Sequence, residues 1–457
     1  MTDLELAVST LLAKTKNYNT LFDYYEGDHP LIYSRERLRE IFKDFSARFT
    51  ENWCAVVIDA VMERIQLRRI TVADNDALTQ QLDALISSSD LTLESDDVHL
   101  AALITGEAYI IAWPDVETSQ PEAYYNDPRN VHLFYEADRP RIKRFGCKWW
   151  VGDDDHRYLT LYYPDRLEYY KSTKTVRSNK GGLLVLNDVT AAKAFGEPTV
   201  EANPFGVVPV FHFRRDRRVI SSELVNIIEP QDAVNKLLSD MMIAAEFGAF
   251  KQRYIISQAG GGKFKNAPNE IWDVPGSDGE GQATSVGEFD ITPLDNYLSA
   301  IDKKVTAIAI ISRTPKHYFF GQGGDPSGEA LIAMEAPLNH KAQKYIDRFT
   351  APWSELAAFL LLLDGAGAVD DNAIIPHFDE PQTVQPYTQA LIRKEAIAAG
   401  IPLMWQMRQE GYTEQELAQL EDDQASAQKA QQDSLAAAMV EQQRRFDQGG
   451  QGDNAGQ

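Results

Sequence analysis

The chain of 457 residues carries 68 Asp and Glu against 45 Lys and Arg, a net charge of −23, with 44% hydrophobic residues and two cysteines. It is longer than one ordinary domain of about 100–200 residues, and its apolar content supports sizeable cores, which excludes disorder throughout. The acidity disfavours a surface that grips nucleic acid everywhere, and two cysteines exclude a disulfide framework or a thiolate zinc cluster. The longest apolar runs, residues 359–363 and 308–311, fall far short of the about 20 residues that a membrane-spanning helix needs. The acidic first six residues lack a secretory pattern, so a soluble protein made inside the cell is expected.

Apolar residues at Leu4, Ala7, Val8, Leu11 and Leu12 predict a helix over residues 3–25, stopped by Gly27-Asp-His-Pro30. Two further helices are expected over 35–49 and 52–66, the second capped by Asn52. From Glu107 the period becomes that of strands, at 108–113, 131–135, 142–150, 158–163 and 167–171, with a last short strand at 207–213. The first half is therefore α+β, and the second half reads as predominantly helical. A helix is expected over 222–250, with Pro230 kinking it or delaying its start. A glycine-rich break follows, with strand-like pieces at 253–257 and 270–274, then a helix over 293–312. After the glycine-rich segment 320–326, a helix over 327–363 contains Pro337 and Pro352, which should bend or split it. A small helical unit over 387–420 turns at Gly400-Ile-Pro402 and holds the capping box Thr413-Glu-Gln-Glu416. Residues 422–446 are Gln- and Ala-rich, and 447–457 read as a disordered tail.

No active site emerges from the sequence. Gly260-Gly-Gly-Lys-Phe264 lacks the spacing and hydroxyl of a phosphate-binding loop, and the eight histidines show no ligand spacing. Asp153-Asp-Asp155 with His156 reads as a solvated hairpin turn rather than a metal site. The tryptophans of Cys147-Lys-Trp-Trp150 read as core or interface rather than a platform for sugars or bases. Neither an enzyme nor a cofactor or metal is expected.

Several strings resemble the portal proteins of tailed double-stranded-DNA bacteriophages, of the siphophage type. They are Tyr24-Tyr-Glu-Gly-Asp-His-Pro30, Asn52-Trp-Cys54, Asn203-Pro-Phe-Gly-Val-Val-Pro-Val210, the run from Ser222 to Met241, Thr314-Pro-Lys-His-Tyr-Phe-Phe-Gly321 and Ser327-Gly-Glu-Ala-Leu331. The likeness covers about residues 20–420. It implies a ring, typically of twelve copies, around an axial channel at one capsid vertex. The wing would be 1–221 with the long bent helix of 327–385, the stem helices 222–250 and 293–312, and the clip 251–292. The tunnel loop would be 313–326 and the crown 386–446. The resemblance further implies partners: double-stranded DNA passing through, the terminase large subunit, a head-completion or adaptor protein, and the capsid and scaffolding proteins, but no membrane. It places the protein in the virion, assembled in the host cytoplasm.

On that reading His317, Tyr318, Phe319 and Gln322 are tunnel-loop candidates, with Phe319 and Phe320 alternatively packing between subunits. Lys303 and Lys304 are candidates for brief phosphate contact, or plain solvent-facing charges. Lys263, Lys265 and Trp272 are candidates for partner docking, with Trp272 alternatively a small core. A ring of twelve such chains would carry about −280 charges, which favours sliding of DNA over adhesion, although solubility alone also accounts for acidity. Two other readings are a different head–tail connector or adaptor ring, and a carboxylate-based hydrolase.

Overall fold

The computed structural model describes residues 1–29, 50–115, 117–180, 183–249, 253–256, 285–288, 293–320, 328–381 and 386–409, with scattered residues between 412 and 429. The expected helix over 35–49, the strand at 270–274, the capping box at 413–416 and the tail at 447–457 lie outside them.

Helix α1 (Asp3–Glu26) starts where Thr2 and Glu5 close a reciprocal capping box. Helix α2 (Trp53–Met62) begins at Asn52, whose side chain accepts from the Ala55 amide. It stops four residues earlier than the periodicity predicts. Arg64 turns back to donate to the Ala60 carbonyl at 2.8 Å, and the chain leaves as strand β1 (Leu67–Val72). Helices α3 (Asp76–Ser88) and α4 (Leu91–Thr105) follow. Nearly every residue of α4 from Val98 to Thr105 is buried, so it lacks the polar stripe that reveals a helix in sequence. Gly106 ends it at a φ of 96°, and a Cβ there would lie 2.6 Å from the Ser221 backbone.

Strand β2 (Glu107–Pro114) is the middle of a three-stranded antiparallel sheet, beside β3 (Pro121–Asn126). Strands β4 (Val131–Tyr135), β5 (Lys143–Val151), β6 (His156–Tyr162) and β7 (Arg166–Thr175) form an antiparallel meander. A hairpin of β8 (Arg177–Lys180) and β9 (Leu183–Leu186) precedes β10 (Thr199–Ala202), which pairs with β7 as the fifth strand. Strand β11 (Val210–Arg214) returns to the other edge of β2. The two sheets meet through Tyr109, Ile111 and Val210 on one side and Val131, Leu133, Tyr162 and Leu167 on the other. Gly146 permits their close approach, since a Cβ there would lie 2.6 Å from Val210 Cγ2. Ala7, Val8 and Leu11 of α1 cover Phe145, Cys147, Trp149, Leu159 and Leu161 of the larger sheet.

The helical half opens with α5 (Ile228–Ala249). Pro230 delays the start rather than kinking the helix: it is the third residue, where a missing N–H costs nothing. The Trp53 amide donates to Gln231 Oε1 (2.9 Å) and the Glu51 amide to Asn235 Oδ1 (3.0 Å), which ties α5 to the start of α2. Strands β12 (Arg253–Ile256) and β13 (Ser285–Glu288) pair between α5 and α6 (Asp295–Ser312), and the two helices pack on each other. Helix α7 (Gly328–Leu363) runs 36 residues, about 54 Å, through Pro337 and Pro352 without splitting. Its buried residues Phe349, Trp353, Leu356, Leu360 and Leu361 form the centre of the main core. Strand β14 (Ile374–Phe378) then pairs antiparallel with β1, Ile70 opposite Pro376. Helices α8 (Pro386–Ala398) and α9 (Leu403–Gln409) follow, with the predicted turn at Gly400.

Two histidines lie in the dry interior. Trp353 Nε1 donates to His99 Nε2 at 3.0 Å, and the His99 ring stacks 4.8 Å from Phe349. His212 Nε2 donates to Glu107 Oε2 at 3.1 Å, while Tyr18 and Tyr109 hydroxyls and the Lys14 ammonium also bond that carboxylate. Burial alone would raise the Glu107 pKa, but Lys14 and the histidine hydrogen bonds hold it well below the usual range. Burial lowers the pKa of His99 to about 3 and that of His212 to about 4, from 6.5. The unfolded chain therefore takes up these protons first as pH falls, and stability falls with it. Urea unfolding is expected to show a steady loss of stability from pH 6.5 to about 4. A flat profile across that window contradicts the neutral, buried placement.

Candidate functional site

The segment after α6 is built from the helix end outward. Arg313 takes the left-handed conformation (φ 60°) and ends α6, its amide bonding back to Ala309 and Ile310. Lys341 Nζ donates to the Ser312 carbonyl at 2.7 Å, which places a cation on the negative end of the helix. Pro315 then leads into one 3₁₀ turn, Lys316–Tyr318, closed by the Phe319 amide on the Lys316 carbonyl at 3.0 Å.

This turn is anchored by the buried Arg64. Its Nη2 donates to the Tyr318 hydroxyl (2.8 Å), its Nε to Asn339 Oδ1 (2.9 Å), and its Nη2 lies 3.6 Å from Glu335. His317 is exposed, with Nε2 3.6 Å from the same Glu335. Tyr318 is half-buried, its hydroxyl committed to Arg64. Phe319 is a core residue, 6% exposed with its ring 5.4 Å from Trp53, and is not among the side chains the turn presents outward. It packs inside its own chain, where both alternatives drawn from the sequence had placed it elsewhere.

Lys303 and Lys304 lie on the exposed side of α6, opposite the buried Ile301, Val305, Ile308 and Ala309. Lys304 stands about 12 Å along the helix from Ser312, so the lysines and the turn occupy different heights of one helix–turn segment. Gln322, Lys263, Lys265 and Trp272 lie outside the described residues. Sequence reasoning missed the anchor. Its only signal was a lone arginine next to Ile65 at the end of an apolar helix, and its partners Tyr318, Glu335 and Asn339 are more than 250 positions away.

Among the described residues, no group of three or more His, Cys, Asp or Glu is placed to hold a metal. Asp153 to Asp155 form a hairpin turn between β5 and β6, with Asp155 at a φ of 59°. Asp154 accepts from Lys171 (2.7 Å) and Tyr158 (2.9 Å). Trp149 is buried, and the exposed Trp150 stacks on Tyr158 at 5.5 Å. Among the described residues no helix is long and apolar enough to cross a membrane.

Replacing Arg64 removes the guanidinium from beside Glu335 and Asn339 and frees the Tyr318 hydroxyl. Arg64→Met is expected to cost about 3 kcal/mol and to speed amide exchange at residues 316–320 at least tenfold, with β5 and β6 unchanged. Unchanged exchange in the turn would contradict the anchoring role.

A solved structure described as the virion of a native gene transfer agent particle aligns with 80% of this chain and 90% of its own. Its TM-score is 0.42 and its sequence identity 12%. No curated protein sequence matches the chain. The family model for phage portal protein, SPP1 Gp6-like, matches residues 10–430, from the first helix to beyond the last described one, and the chain belongs to that family.

Proposed function

We propose that copies of this portal protein close into a ring, twelve in number, around an axial channel that passes double-stranded DNA into and out of the capsid. The observation that carries this reading is family membership across residues 10–430. In this reading 222–250 and 293–312, which contain α5 and α6, are the stem, 251–292 the clip, 313–326 the tunnel loop, 386–446 the crown, and 1–221 with 327–385 the wing. The terminase large subunit docks on the clip during packaging and a head-completion or adaptor protein afterwards, while capsid and scaffolding proteins hold the ring at its vertex. Assembly takes place in the host cytoplasm.

Two features of the helices support the stem assignment. Met242 of α5 and Leu298, Ile310 and Ile311 of α6 are exposed in the single chain, as helices that pack beside copies of themselves require. The bridging strands β12 and β13 put both ends of the insert between the helices side by side.

His317, Lys303 and Lys304 are the described candidates for transient contact with DNA. Two lysines per chain against a strongly acidic background give phosphate a weak hold without a tight site. Lys303→Ala combined with Lys304→Ala is expected to leave assembly mass unchanged and to lower the yield of packaged DNA several-fold in a packaging assay. Wild-type yield from the double variant would remove these lysines from the channel.

A further inference from the structure

We propose that a cationic pocket at the C-terminal end of α6 receives a carboxylate side chain from a neighbouring copy of this chain; the proposal rests on the ring reading above. The pocket encloses about 230 Å³ and is lined by five cations, Arg215, Arg313, Lys341, Lys344 and Arg348, and by one carboxylate, Glu223. In a chain of net charge −23 this concentration of positive charge is out of character with the whole. Lys341, Lys344 and Arg348 recur at helical spacing on α7, and Arg215 and Arg313 join them from beyond the ends of β11 and α6.

The internal pairing leaves charge unspent. Glu223 is consumed within the pocket: Oε2 accepts from Arg215 Nη1 (2.9 Å) and the Tyr345 hydroxyl (2.5 Å), and Oε1 from Lys341 Nζ (2.5 Å). Arg348 donates to the Arg215 carbonyl and lies 4.0 Å from Asp216. Arg313 and Lys344 are exposed, and neither has an ion-pair partner among the described residues. Arg215, Lys341 and Arg348 are therefore the floor of the pocket, and Arg313 and Lys344 are the groups available to an incoming anion.

The rim decides which anion. Ile311 lines the pocket at 48% exposure. Ile310 (67%), Val225 (54%) and Val219 (65%) each stand within two residues of a lining residue. Apolar side chains flanking a charged centre exclude water from it once a partner covers them, which strengthens the central pair. A DNA phosphate would leave those side chains facing a polar backbone. A second copy supplies both requirements, since its opposing face brings carboxylates from an acidic chain and further exposed apolar side chains.

The test mixes isotope-labelled and unlabelled full-length chains, assembles them, and treats them with a carbodiimide, which joins a lysine amine to a carboxylate in direct contact. Mass spectrometry of the particles is expected to show Lys344 joined to an Asp or Glu peptide with one labelled and one unlabelled half. Lys344→Glu is expected to lower the assembled fraction at least tenfold at low salt, and Lys344→Arg to retain it. Assembled rings whose Lys344 is uncoupled, or coupled only within one chain, would overturn the pocket proposal and leave the ring standing. So would a Lys344→Glu variant that assembles fully but loses retention of a short duplex DNA, which would assign the pocket to phosphate. Wild-type chains that form no ring under any condition would overturn the ring reading and this inference with it.

Discussion

Helix α7 must be buried along one side, and the placement of every candidate group depends on that constraint. Its C-terminal half contributes Phe349, Trp353, Leu356, Leu360 and Leu361 to the main core, against strands from both ends of the chain. A helix so held cannot rotate without opening that core, at about 2–5 kcal/mol for each large side chain lost. Its N-terminal half is therefore a fixed rail. Asn339 and Glu335 hold the Arg64 anchor, and Lys341 pins the end of α6. The turn at Lys316–Tyr318 stands where it does because Arg64, held by Asn339 and Glu335, bonds the Tyr318 hydroxyl.

A second constraint works at the other end of the fold. Glu107 carries a buried negative charge between the two sheets and α1, and one lysine, two tyrosines and a histidine close around it. Such a group is costly to bury and more costly to leave unpaired, so it fixes the register of α1 on the sheets more sharply than apolar packing does. The same chain thus uses an apolar lock for α7 and a polar lock for α1.

Much of this was legible in the sequence, for identifiable reasons. α1, α6 and α7 show clean periods because each has one dry face, and the strings around Asn52, Pro209 and Pro315 carry the family likeness. Helix α4 was hidden by burial on all sides, and β1 and β14 by their dependence on each other across 300 residues. Phe319 shows the limit of motif reasoning. Its string marks the segment that follows α6, yet the direction of its aromatic side chain is set by Trp53, a contact no spacing reveals. The cationic pocket was missed for the same reason, since Arg215, Arg313 and the α7 residues Lys341, Lys344 and Arg348 come together only in the fold.

The proposed closed ring has a direct signature in the assembled mass of the protein. Light scattering of the purified protein, with or without capsid and scaffolding partners, and negative-stain images of the same peak, should show a particle near 0.6 MDa with a central hole, about twelve copies of a 51.3 kDa chain. A compact particle of one or two chains that also fails to assemble with those partners would contradict it.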